Sequence, residues 1–145
     1  VNSIHAIYQV LVVDQSKIFT DRISLLLNEM DCIKSVDVAT DFEQATPMIN
    51  QYFFDIILVD MELPEKKGFA LLQYIKATSP KTKIIIITNK SDDYYRAWGA
   101  KIGTDYFIDK SADCDKILQI ITDFPHAENI VNTMKSYTNK QATQH

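Results

Sequence analysis

The sequence is short of the residues that mark several common function classes. Its two cysteines, Cys32 and Cys114, lie far apart with no CxxC or Cys/His spacing, which argues against a zinc site, a redox motif or a disulfide framework. A chain of 145 residues, 46% hydrophobic and 23% charged, can bury one core without such staples and is too short for two ordinary domains. Both thiols are therefore expected buried or half-buried in a reducing cytosol. Basic charge is also scarce: the formal net charge is −4. That argues against the clustered basic face needed to displace counterions from nucleic-acid phosphates. No apolar run approaches the roughly 18 residues of a membrane span, and the most apolar segment is bracketed by Asp55 and Asp60. The N-terminus has no signal-peptide pattern, since the strand-like run Tyr8 to Val13 stops at Asp14. A cytoplasmic protein with no membrane contact and no direct nucleic-acid binding is expected. Glycine is rare as well, with only three in the chain and none in Gln15-Ser16-Lys17, so no glycine-rich phosphate cradle follows the first strand.

What is present is an alternation. Apolar runs of strand length separate longer segments of helical period, the pattern of a parallel sheet covered on both faces. Ser16 is placed to cap a first helix whose Phe19, Ile23, Leu26, Leu27 and Met30 share one face. A short second strand near Ser35 to Val38 is expected at an edge. A second helix over Asp41 to Tyr52 contains Pro47 beyond its first turn, which predicts a kink or a late start. A third helix is expected after Gly68, ending at Ser79-Pro80, and a fourth from Ser91-Asp92-Asp93. A fifth begins at Ser111 and turns Ile117, Leu118, Ile121 and Phe124 inward. Residues 1–124 then form one domain, with 125–145 a polar tail or helix extension.

Four strand ends carry the chemistry. Val10 to Val13 stops at Asp14, Asp55 to Val59 at Asp60, Ile84 to Ile87 at Thr88, and Tyr106 to Asp109 at Lys110. The carboxyl ends of parallel strands are where an open α/β sheet binds its ligands. An acid, a second acid, a hydroxyl and an ammonium in that order, with Pro64 and Gly68 after Asp60, resemble the phosphoacceptor receiver domain of two-component response regulators. The resemblance covers about residues 8 to 124. The segment Gly103 to Lys110 is similar to the family's Gly-Ala-Asp-Asp-Tyr-Leu-x-Lys-Pro.

The resemblance implies a doubly wound five-stranded sheet in flavodoxin-like order 2-1-3-4-5. It implies phosphorylation of Asp60 by a sensor histidine kinase or phosphotransfer protein, with Thr88 and Lys110 each taking a phosphoryl oxygen. Mg²⁺ would be held by Asp14, Asp60 and the backbone carbonyl of Glu62. Phe107 falls at the family's aromatic switch position, beside Thr88, and a downstream effector protein would read the surface of helix 4, strand 5 and helix 5. The chain would be a phosphoacceptor and not a turnover enzyme on a free substrate. It departs from the family at Gln15, where a second acid usually ligates the metal directly, at Asn89, at Ser111 in place of proline, and at Lys66-Lys67, read as a solvated turn. Glu62 and Lys90 would face each other across the mouth of the site. Gln15 favours the alternative of a degenerate receiver that binds partners without phosphorylation, whereas the intact Asp60, Thr88 and Lys110 oppose it. A flavin carrier or phosphohydrolase on the same fold is disfavoured by the glycine-free Gln15-Ser16-Lys17.

Overall fold

The alternation expected from the sequence is built as β1 (Tyr8–Val13), α1 (Lys17–Asn28), β2 (Ile33–Ala39), α2 (Phe42–Gln51), β3 (Ile56–Asp60), a 3₁₀ turn (Pro64–Lys66), α3 (Lys67–Thr78), β4 (Lys83–Thr88) and β5 (Tyr106–Asp109). The computed structural model describes residues 7–89, 97, 101, 106–110 and 115–124, the last stretch being helical. The expected helix starts at Ser91 and Ser111, the facing Lys90, and the tail over 125–145 lie outside the described residues. The five strands pair in parallel in the order β2-β1-β3-β4-β5, as the sequence predicts.

Strand periodicity sorts the central strands into two buried layers. Leu11, Val13, Ile57, Val59, Ile84 and Ile86 pack with Ala45, Ile49, Leu71, Leu72 and Ile75 of α2 and α3. The intervening Val10, Val12, Ile56, Leu58, Ile85 and Ile87 pack with Phe19, Ile23 and Leu27 of α1 and with Ile117, Ile121 and Phe124 of the last helix. Burial on both faces explains why these strands read as continuous apolar runs.

Helix ends follow local chemistry. The Ser16 hydroxyl accepts from Phe19 N at 3.3 Å, capping α1 as expected. At α2 the Asp41 carboxylate accepts from Gln44 N at 2.9 Å, while the Gln44 side chain accepts from Thr40 N at 2.9 Å. This reciprocal cap starts α2 at Phe42 with Pro47 inside it, so the late start expected from the proline does not occur. The edge strand β2 is longer than expected because it pairs along the whole of β1, from Tyr8↔Ile33 to Val13↔Ala39. Helix α3 begins at Lys67, one residue before Gly68. The expected solvated turn holds for exposed Lys66 only: Lys67 is half-buried, 4.8 Å over the Phe42 ring and 3.8 Å from Glu43 Oε1.

Gly68 fixes how α3 meets β3. A Cβ there would lie 2.7 Å from the Met61 carbonyl oxygen and 2.9 Å from Met61 Cα, both rigid backbone atoms. The residue therefore lets α3 close against the chain just after Asp60. Gly68→Ala is expected to lower unfolding free energy by about 1–3 kcal/mol, the usual cost of overpacking, as read by urea denaturation. An unchanged midpoint would show that α3 shifts freely.

Candidate functional site

Register brings the two acids together. Val13 pairs with Val59, so the residues that follow them, Asp14 and Asp60, leave adjacent strands side by side. This is the point where strand order reverses, with β2 on one side of β1 and β3 on the other. The backbone ladder runs on past the strands through Asp14 N to Ala39 O at 3.0 Å, Met61 N to Ile87 O at 3.0 Å, and Lys110 N to Thr88 O at 2.8 Å. These bonds hold the rim of the site rigid.

Each carboxylate is then oriented by its own turn. Ser16 N donates to Asp14 Oδ1 at 2.7 Å, and Glu62 N donates to Asp60 Oδ1 at 2.9 Å. Both are side-chain turns closed two residues ahead, a habit of aspartate at loop starts. The outer oxygens face one cation: Lys110 Nζ lies 2.6 Å from Asp14 Oδ2 and 3.6 Å from Asp60 Oδ2. All three groups are withdrawn from solvent, with relative exposures of 0% for Asp14, 2% for Asp60 and 10% for the Lys110 side chain. The ammonium also sits 4.8 Å over the ring of Phe19.

Two acids around one ammonium leave the site short of positive charge. Burial is the largest influence on Asp60, raising its pKa from 3.8 to about 6. The negative charges of Asp14 and Glu62 add to that rise, while the Glu62 N–H and the Lys110 ammonium oppose it. Asp14 Oδ2 is buried and receives no well-directed hydrogen bond, although the ammonium is 2.6 Å away. Among the described residues no three His, Cys, Asp or Glu side chains gather as a ready metal cluster. The donors that do converge are hard oxygens from two carboxylates, with the Glu62 backbone held beside Asp60. That set fits a cation such as Mg²⁺, which takes few protein ligands and keeps its waters.

Thr88 is fully buried at the end of β4, and Asp109, the residue before Lys110, is its register partner. Phe107 is half-buried and packs against the layer shared by α2 and α3. Glu62 is half-buried beyond Asp60, and Gln15 is exposed beside Asp14. Asp55 serves the framework, since its side chain accepts from Gln9 N at 2.8 Å and ties the starts of β3 and β1 together. Sequence reasoning missed the second role of Phe19. Helical spacing assigns this residue to the core, and nothing in that spacing indicates that its ring also faces Lys110.

In the connection from Asp60 to α3 the chain passes through two consecutive left-handed residues, Glu65 at φ 61° and Lys66 at φ 57°. Such residues cost roughly 1–2 kcal/mol each outside glycine. The turn is held in spite of that cost by Gly68 and by buried Met61 and Leu63.

A doubly wound parallel sheet with two buried acids and an ammonium at its switch point defines an α/β module built to handle a phosphoryl group or a cation. The chain belongs to the response regulator receiver domain family, whose model matches residues 10–122. It is therefore a receiver domain of the two-component response regulators. It is 31% identical over 110 residues to the transcriptional regulatory protein DltR of Streptococcus agalactiae, covering 76% of this chain and 48% of the relative. The chain thus spans about half the length of the curated relatives it matches. Its fold is similar to that of a CheY-like receiver domain protein from Methanospirillum hungatei, with TM-score 0.77, 22% identity, and coverage of 86% of this chain and 98% of that one. A response regulator from Burkholderia pseudomallei, solved with a phosphorylated aspartic acid, a calcium ion and citrate, has TM-score 0.71 and 20% identity over 88% of this chain and 74% of that one.

The raised pKa of Asp60 makes a stability prediction. Between pH 3.8 and about 6 the folded chain binds more protons at this position than the unfolded chain does. Its contribution to stability therefore falls as pH rises through that window and stays lowered above it. In the presence of chelator, Asp60→Asn should stabilise the protein by about 2–3 kcal/mol at pH 7.5. The gain should shrink towards zero as pH falls below about 3.5, where folded and unfolded aspartate both become protonated. Urea unfolding across pH measures this, and a destabilised Asp60→Asn at pH 7.5 would mean that the Lys110 pairing outweighs burial.

Proposed function

We propose that this chain receives a phosphoryl group on Asp60 from the phosphohistidine of a sensor histidine kinase or a phosphotransfer protein. The observation that carries this reading is the buried triangle of Asp14, Asp60 and Lys110 at the switch point, left short of positive charge by its register. In the transfer, a carboxylate oxygen of Asp60 forms the new P–O bond as the P–N bond to the donor imidazole breaks, and the bonding electrons leave with the imidazole. A pKa of about 6 leaves Asp60 mostly ionised at neutral pH, the form that can attack.

The Glu62 N–H orients the Asp60 carboxylate, and its 2.9 Å bond to Oδ1 limits the carboxylate's rotation. Lys110 is close enough to follow charge from Asp60 Oδ2 onto the phosphoryl oxygens, and Thr88 supplies a hydroxyl from the neighbouring strand end. Asp14, Asp60 and the Glu62 carbonyl are the residues that would hold Mg²⁺, with Gln15 at the rim as a neutral fourth donor. Bound there, the ion would offset the charge of donor and acceptor. The Burkholderia response regulator of similar fold was solved with both a phosphorylated aspartic acid and a calcium ion.

Signal output is assigned to Thr88 and Phe107 as switch residues and to the surface around β5, read by a downstream effector protein. Residues 1–124 form the receiver unit, acting in the cytoplasm as an acceptor and not as a turnover enzyme. Within the described residues no helix is long and apolar enough to cross a membrane.

Acetyl phosphate with Mg²⁺ should add one phosphoryl group by intact mass, and Asp60→Asn should remove the label. Gln15→Asp should lower the Mg²⁺ concentration needed for half-maximal labelling, because an anionic oxygen replaces an amide. A wild-type chain that stays unlabelled at high Mg²⁺ would point instead to a degenerate receiver that binds partners without phosphorylation. Labelling that survives Asp60→Asn would place the acceptor elsewhere.

A further inference from the structure

Among the described residues the Lys110 ammonium meets three side chains, of which two are the acids of the proposed phosphoacceptor site. The third is Phe19, from the first turn of α1, whose ring lies 4.8 Å beneath Nζ. Phe19 is 8% exposed, and with Ile23 and Leu27 it packs against the layer formed by Val10, Val12, Ile56 and Leu58. Asp14 and Asp60 continue the phase of Val12 and Leu58, so they emerge on the sheet face that α1 covers. An aromatic face adds a negative quadrupole, which attracts an ammonium most strongly where water is excluded.

The position of the ammonium is uneven, 2.6 Å from Asp14 and 3.6 Å from Asp60. A lysine held only by charge has four rotatable side-chain bonds and follows whichever anion is strongest. A ring does not lose its hold when a cation neutralises the carboxylates, because its attraction does not depend on their charge. We propose that Phe19 is a positioning residue for Lys110, its ring face keeping the ammonium inside the site on the α1 side of Asp60. The inference rests on reading Asp60 as the phosphoacceptor. With the ring in place, a phosphoryl group arriving on Asp60 meets an ammonium already desolvated and in position, instead of one recruited from solvent.

The test replaces Phe19 with phenylalanines of increasing ring fluorination, which weakens the negative face while keeping the shape nearly constant. Two quantities are read in the full chain. The first is the chemical shift of the Lys110 ε-methylene protons, assigned by their loss in Lys110→Met, which lie in the ring current of Phe19. The second is the rate of labelling by acetyl phosphate at saturating Mg²⁺. The ε-methylene signal of the unsubstituted protein should be shifted upfield and should return stepwise towards the free-lysine value as fluorines are added. The labelling rate should fall in parallel, by roughly 3- to 30-fold in total, the range spanned by a cation–π contact. Phe19→Tyr, which keeps the ring face, should retain both properties.

An ε-methylene shift that does not respond to fluorination would overturn the proposal. So would a labelling rate that stays constant while the shift moves, since Phe19 would then hold Lys110 without serving the chemistry. Failure of the acceptor reading looks different: the unsubstituted chain would take no label at all, whatever its lysine signal does.

Discussion

One ammonium shared by two buried carboxylates governs this structure. Lys110 reaches Asp14 at 2.6 Å and Asp60 at 3.6 Å in a site almost closed to water. Isolated charges are very costly to bury, and removing the one cation, which leaves buried carboxylates uncompensated, typically costs about 3–5 kcal/mol. The triangle therefore constrains β1, β3 and β5 together. Register must deliver both acids, α1 must cover them, and the residue after β5 must return across the edge. Substituting Lys110 disturbs folding as well as chemistry, which makes a change in the ring beneath it the cleaner probe.

The neutralisation is incomplete. Asp60 is pushed up to about 6, and one oxygen of Asp14 lacks a proper hydrogen bond. A fold maximised for stability would replace one acid with an amide or an apolar residue. Retaining both acids stores an unmet demand for positive charge at the one rim of the sheet where strand order reverses. Under the proposed phosphoacceptor role, function and local instability are the same feature. The left-handed turn of Glu65 and Lys66 and the contact of Gly68 with Met61 add to what the β3–α3 connection must hold in place.

Much of this is legible in the sequence because strand ends are punctuated. Four apolar runs, each closed by an acid, a hydroxyl or a lysine, mark four strands and four candidate site residues without tertiary information, and the strand order comes from the resemblance they carry. The layer that buries Ile117, Ile121 and Phe124 follows from helical spacing. Local rules fail where a distant partner decides the outcome. Pro47 predicts a kink or a late start for α2, and the caps at Asp41 and Gln44 settle against the late start by beginning the helix at Phe42. Strand β2 extends beyond its own short apolar signal because β1 offers a full ladder. The part played by Phe19 depends on a lysine far along the chain, and no local pattern encodes that meeting.

The central claim is that the carboxylate pair is under-compensated and completed by a divalent cation. Unfolding free energy measured with and without Mg²⁺ at pH 7.5 tests it most directly. Binding confined to the folded state should stabilise the protein in proportion to the logarithm of free Mg²⁺, reaching about 2.7 kcal/mol at a hundredfold excess over Kd. Most of that gain should vanish in Asp60→Asn, which removes one of the two anions. An unfolding free energy that ignores Mg²⁺, or that responds equally in Asp60→Asn, would contradict the account.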